Sequence, residues 1–315
     1  MRLRFGRPDL LRWIHLTDVP VADPVAAAAG SVLQVAWLGV STVLVTDGTS
    51  AVMTDGFFSR PSLLRTGLAP LVPDRARIEH ALDRMGILAL DAVLPVHSHY
   101  DHVLDSATVA ARTGADVYGG TSTLNVVVGH GLPPERVTVV ESGETHEVGG
   151  FEITLVESSH CPPDRFPGEI EEPVMIDDRA REYRCGEAWS TLIHHPATGR
   201  RLLVQGSAGC VPGALEGQQA EVVMLGVGQL GVQEDAYVEE YWNETVGRVG
   251  AKVAVVVHHD NFFRPLDAPL RALPYAVDDL DVTLQRLEAL AERDGVRLHL
   301  PTLWDRTDPW RSLPV

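Results

Sequence analysis

Ala92-Val93-Leu94-Pro95-Val96-His97-Ser98-His99-Tyr100-Asp101-His102 is the stretch on which the fold turns. Its first part, Ala92–Val96, is a short apolar run that reads as a buried strand. The run leads directly into three imidazoles and a carboxylate, groups that are costly to bury without partners. While the backbone stays extended, alternate positions 97 and 99 point the same way. Asp101 and His102 then fall at the turn into a helix expected over Val103–Arg112, aimed back at the same volume. Neutral imidazole nitrogens and a carboxylate oxygen are the donors that a borderline metal such as zinc takes.

Around this stretch the chain alternates between strands and helices. Leu33–Leu38, Ser41–Thr46 and Ala51–Thr54 are rich in Val, Leu and Thr, with Asp47-Gly48 as a turn. Arg75–Met85 is expected to be an amphipathic helix. Ile78, Ala81, Leu82 and Met85 share one face, and Gly86 follows as a stop signal. Further strands are expected at Asp116–Tyr118, Val137–Val140, Thr145–Val148 and Phe151–Val156, with a helix over 121–129. Trp189–His194 and Arg201–Gln205 read as a hairpin. Val222–Leu225 and Val253–Val257 read as buried strands on either side of a helix over 234–247. A helix over 278–293 and a strand over 296–299 end the pattern. Such an order suits two sheets packed face to face with helices outside. One domain over 31–315 is expected after a loosely ordered arm over 1–30. The loop 161–187, with Pro162, Pro163, Pro167 and Pro173, interrupts the pattern. It starts next to His160, so it is expected to form a wall or lid over the site.

Composition narrows the functions further. A 315-residue chain that is 45% hydrophobic buries a sizeable core and is not intrinsically disordered. The net charge of −17 disfavours partners that are large polyanions, so no nucleic acid is expected. Lys252 is the single lysine beside 25 arginines, a bias expected of a GC-rich bacterial genome. Cys161, Cys185 and Cys210 are too few for a disulfide framework. The apolar stretch Val35–Val45 is too short to span a bilayer and holds Ser41 and Thr42. A cytoplasmic protein without integral membrane association is expected; the oligomeric state is not readable from these residues.

The His97–His102 motif and its strand-rich frame resemble the metallo-β-lactamase superfamily. Trp37-Leu38-Gly39 and Met53-Thr54-Asp55-Gly56-Phe57-Phe58-Ser59-Arg60 resemble most the branch of ascorbate-6-phosphate lactonase-like and phospholipase-D-type hydrolases. Over about residues 32–300 the resemblance implies an α+β fold, a four-layer αβ/βα sandwich with a metal site at one edge of the sheets. It implies that His160 completes a triad with His97 and His99. Asp101, His102 and His258 would form the second set, with His259 a lesser alternative to His258. Asp55 matches the family's strand-end aspartate, which supports the site without binding metal; an ordinary turn aspartate is the other reading. Leu202–Gly206 resembles the strand that ends in Gly-Asp, but Ser207 stands where the metal-bridging aspartate should be. Cys210 offers either a thiolate ligand or a small buried hydrophobe. Val40 occupies a position where close relatives often carry histidine.

The expected protein is a metal-dependent hydrolase holding one or two Zn2+ ions, with Mn2+ or iron as alternatives. Its metal-bound hydroxide would attack an ester, lactone or phosphodiester of a small molecule, with Asp101 accepting or delivering a proton. Ser207 and Val40 motivate a second expectation, a pseudoenzyme or ligand-binding protein with a degenerate metal site. Redox chemistry at iron is a third.

Overall fold

The computed structural model describes residues 4–17, 33–311 and 313. The Ala26–Ala29 run of the expected arm lies outside the described residues.

Two seven-stranded sheets form the centre of the molecule. The first uses β1 (Gln34–Trp37), β2 (Val43–Thr46), β3 (Ala51–Thr54), β4 (Ala92–Leu94), β5 (Asp116–Gly119) and β6 (Val137–Val139). The second uses β7 (Thr145–Val148), β8 (Phe151–Ser158), β9 (Ala188–His195), β10 (Arg200–Gln205), β11 (Val222–Gly226), β12 (Val253–Val257) and β13 (Arg297–His299). The last strand, β14 (Arg306–Thr307), returns to the first sheet beside β1, giving the order β14-β1-β2-β3-β4-β5-β6. The second sheet runs β13-β12-β11-β10-β9-β8-β7. Each sheet is part antiparallel and part parallel: β3-β4-β5-β6 run parallel in one and β10-β11-β12-β13 in the other, while the remaining neighbours are antiparallel.

Burial divides the apolar side chains into three cores, which defines the layers. Val35, Val45, Val52 and Leu94 meet Ile153, Leu155, Val204 and Val255 between the sheets. On the outer side of the first sheet, α2 (Arg75–Met85), α4 (Ser106–Thr113) and α5 (Thr121–Gly129) bury Ile78, Leu82, Val109 and Val126. Two shorter helices belong to this half, α1 (Leu63–Leu68) and α3 (Tyr100–Val103). On the outer side of the second sheet, α6 (Asp235–Trp242) and α7 (Leu280–Asp294) bury Val238, Trp242, Leu284 and Leu287. The result is the expected four-layer αβ/βα sandwich. The helix α2 forms where its apolar period demanded, with Asp74 capping its start through the Arg77 amide and left-handed Gly86 ending it. Among the described residues no helix is long and apolar enough to cross a membrane.

Several boundaries differ from the sequence pattern. The helix expected over Val103–Arg112 is two helices, α3 and α4, because the chain turns at Leu104-Asp105. Asp105 is buried there and accepts the amides of Phe58 and Ser59, tying this turn to the segment after β3. The described part of the arm, residues 4–17, is anchored rather than loose. Its Trp13 is buried and donates Nε1–H to Asp281 at 2.9 Å, while Arg4 pairs with Asp279 and Asp281. The loop 161–187 is laid down on α5. Ile170, Val174 and Tyr183 join the first-sheet core, and Asn125 Nδ2 donates to the Ile170 carbonyl.

Candidate metal centre

The histidines and Asp101 reach one volume because the ends of β4, β8, β10 and β12 lie together at one edge of the sandwich. Gly206 shows how closely the sheets meet there: a Cβ on it would stand 2.6 Å from Val96 Cγ1. His97 and His99 follow β4, His160 follows β8, Ser207 follows β10 and His258 follows β12. Binding at the carboxyl ends of strands is the usual place for a site in such sheets.

Two groups of donors form. His97, His99 and His160 place one ligand atom each within 4.8 Å of one another, and so do Asp101, His102 and His258. The groups adjoin, since the rings of His97 and His102 are 3.9 Å apart. Asp101 Oδ2 lies 3.7 Å from His102 Nε2 and 3.6 Å from His258 Nε2.

Neighbours decide which ring nitrogen is bare. Asp55 Oδ2 lies 2.8 Å from His102 Nδ1, and a carboxylate only accepts, so Nδ1 carries the proton and Nε2 is left free. Asp55 is itself pinned by Ser41 Oγ at 2.7 Å and by the Val96 amide at 2.9 Å. It therefore stands behind the donors, as a residue that supports the site without joining it. His160 Nδ1 donates to the Cys161 carbonyl at 2.6 Å, which frees its Nε2. His97 Nε2 and His99 Nδ1 face each other at 3.0 Å.

These donors suit a metal ion chemically. Burial first, then the surrounding imidazoles, hold His97 well below the ordinary histidine range and His160 at about 4, so both rings stay neutral near pH 7. Burial alone would raise Asp101, but the facing imidazoles of His102 and His258 outweigh it and keep it ionised. Neutral imidazoles and a carboxylate are what divalent zinc, manganese or iron take.

The frame around the donors is strained in a consistent way. Val40, Asp55, Arg60 and His258 are non-glycine residues with left-handed φ of 49°, 55°, 43° and 58°. Such conformations persist only where surrounding contacts over-determine them. The Val40 carbonyl accepts the His258 amide at 2.7 Å and the Trp37 indole at 2.8 Å. Its amide donates to Asp260 at 3.0 Å. Asp260, fully buried, is ion-paired with Arg60, which is 2% exposed. Gly39 lies against that guanidinium, leaving no room for a Cβ. Val40 is thus a backbone clamp on His258.

The remaining expected residues sit differently. Ser207 Oγ accepts the Cys161 amide at 3.2 Å, so this short side chain holds the chain after His160. Cys210 belongs to neither donor group; it lines a cavity of about 290 Å³ with His160, Tyr237 and Glu240. His259 is also apart from both groups, stacked on Trp37 with ring centres 4.6 Å apart. The left-handed φ of 58° at His258 turns the chain just past the end of β12, between the two histidines. Phe166 stands edge-on to His99 at 6.4 Å and Phe262 edge-on to His258 at 5.7 Å.

Sequence reasoning missed Asp164 and Cys185, which form a third group with His99 within 4.8 Å. The one available signal was that Asp164 lies four residues past His160, at the root of the loop.

A family model, described as a beta-lactamase superfamily domain, matches residues 51–259. The chain belongs to this superfamily. Among curated members, a metal-dependent hydrolase of Myxococcus xanthus is 30% identical over 138 residues, 44% of this chain and 42% of its own length. Another, from Anaeromyxobacter sp., is 29% identical over 143 residues, 44% of this chain and 46% of its own length. The matched part thus spans less than half of these superfamily relatives. Among solved structures, the metallo hydrolase Igni18 from Ignicoccus hospitalis shares the metallo-β-lactamase fold with a TM-score of 0.53. The match covers 87% of this chain and 97% of that one at 16% identity.

Proposed function

We propose that this protein is a metal-dependent hydrolase of small molecules, acting on an ester, lactone or phosphodiester. The observation that carries the reading is the pair of adjoining donor groups, His97/His99/His160 and Asp101/His102/His258, with the protonated nitrogens of His102 and His160 turned outward. These residues would hold one or two ions, Zn2+ being the first choice for such donors and Mn2+ or iron the alternatives. A bound ion supplies a Lewis acid that polarises the scissile carbonyl or phosphoryl group and makes water a nucleophile near neutral pH.

The chain's own residues do the positioning. Asp55 holds His102, and the Val40 carbonyl holds the backbone of His258. Asp101 acts as a fixed negative charge between the imidazoles of His102 and His258, where it would serve as a ligand and as the group that accepts or delivers a proton. Phe166, from the loop 161–187, and Phe262 form apolar walls that exclude water beside His99 and His258. The reading includes a bacterial cytoplasmic setting, supported by the arginine bias and the unpaired Cys161, Cys185 and Cys210.

Ser207 favours a second reading, a binding protein with a degenerate centre, because it offers a hydroxyl that already accepts the Cys161 amide. One experiment separates the two. Elemental analysis of the purified chain is paired with hydrolysis assays on ester, lactone and phosphodiester panels, before and after chelation. The hydrolase reading expects bound metal and activity that falls on chelation and returns with Zn2+ or Mn2+. Full activity without metal would refute it, and zero metal with no hydrolysis would favour binding.

A further inference from the structure

His99 is the donor that a side chain of the loop 161–187 meets. Its Nδ1 faces His97, while Nε2 points the other way, 3.2 Å from Asp164 Oδ1 and 3.3 Å from the Phe166 carbonyl. Both acceptors belong to the loop 161–187. Asp164 is itself aimed, because Oδ1 also accepts the Phe166 amide at 2.8 Å. The far end of the loop grips the same turn. The Cys185 carbonyl accepts the Ser98 amide at 2.8 Å, and the Cys185 amide donates to the Phe166 carbonyl at 2.9 Å. The turn carrying His97, Ser98 and His99 is therefore held by both ends of one loop.

We propose that Asp164 is a positioning residue for His99: by accepting Nε2–H it keeps the lone pair on Nδ1, facing His97 and His160, and makes the loop part of the metal centre. The proposal rests on the metal-centre reading above and adds a specific carrier to it. It parallels the contact between Asp55 and His102 on the other donor group, so each group has one imidazole fixed by a carboxylate. A consequence is that the base of the loop cannot swing away from the site without releasing His99. Cys185 Sγ lies within 4.8 Å of the ligand atoms of His99 and Asp164 and is not needed as a ligand.

The test uses the full chain with four samples: wild type, Asp164→Asn, Asp164→Ala and Cys185→Ser. Zn2+ affinity is measured by competition with a chromophoric chelator, the number of ions by elemental analysis, and ligand geometry by the visible absorption of the Co2+-loaded protein. Asp164→Ala is expected to weaken Zn2+ binding about 10–100-fold, the usual loss when the carboxylate behind a ligating histidine is removed, and to shift the Co2+ bands. Asp164→Asn retains an acceptor oxygen without the charge and should recover part of the loss. Urea midpoints of the metal-free Asp164→Asn and wild-type chains should coincide, which separates positioning from folding. Cys185→Ser should keep the wild-type number of ions, since the proposal draws no ligand from this thiol. Wild-type affinity in both Asp164 variants would overturn the inference. So would an ion lost in Cys185→Ser, because His99, Asp164 and Cys185 would then hold an ion of their own. If wild type itself takes up neither Zn2+ nor Co2+, the metal-centre reading fails and the inference with it, a result distinct from the other two.

Discussion

Replacing Asp260 tests whether the frame around the site depends on one buried ion pair. Asp260 and Arg60 are both almost fully buried, and Asp260 also receives the Val40 amide. In Asp260→Asn the amide can still accept from Val40, but the Arg60 guanidinium is left buried without its counter-charge. Breaking a buried pair from one side costs about 3–5 kcal/mol. Unfolding entropy of about 2.1 cal/mol/K per residue, taken over the 315 residues, comes to about 0.66 kcal/mol/K. A loss of about 4 kcal/mol is then a fall in Tm of about 6 °C. Calorimetry measures the Tm, and urea unfolding of metal-free protein measures the free energy. The double variant Arg60→Met with Asp260→Leu should recover part of the loss, since it leaves no orphaned charge. A cost below about 1 kcal/mol in Asp260→Asn, or strict additivity of the two single losses, would refute the assignment of this pair as the anchor of Val40.

Three further outcomes are expected. Asp55→Asn presents an amide N–H to His102 Nδ1 and should weaken metal binding about 10–100-fold, measured by chelator competition, while the far-ultraviolet dichroism stays unchanged. Burial lowers His130 to about 4. Between about pH 4 and 6.5 the unfolded chain then binds a proton that the folded chain refuses. The associated stability is complete above that window and is lost as the pH falls through it, up to about 3 kcal/mol. Urea unfolding of His130→Gln should show a shallower pH slope there; an unchanged slope would exclude His130 as its source. Ser207→Asp adds a carboxylate after β10 and should raise the number of ions retained through gel filtration, counted by elemental analysis.

The periodic parts of the chain were readable because their signal is local. The helix α2 shows its apolar face within eleven residues, and β12 announces itself as an unbroken Val-rich run. The imidazole-rich turn after β4 was readable for the same reason, since spacing over a few residues limits where side chains point. The break between α3 and α4 was not, because it depends on Asp105 accepting amides from the segment after β3. Likewise, nothing near Trp13 in the sequence shows that Asp281 will receive its indole.

By itself, then, the sequence determined most of the alternation of strands and helices and the imidazole-rich turn after β4, and its family resemblance pointed to His160, His258 and the missing carboxylate at Ser207. The tertiary structure alone decided that Asp164 stands behind His99, that His259 turns away onto Trp37, and that Arg60 meets Asp260 across 200 residues of chain. The physical reason is range: hydrogen bonding and apolar periodicity are set by near neighbours, whereas these contacts exist only once two sheets have packed and brought their strand ends to one edge.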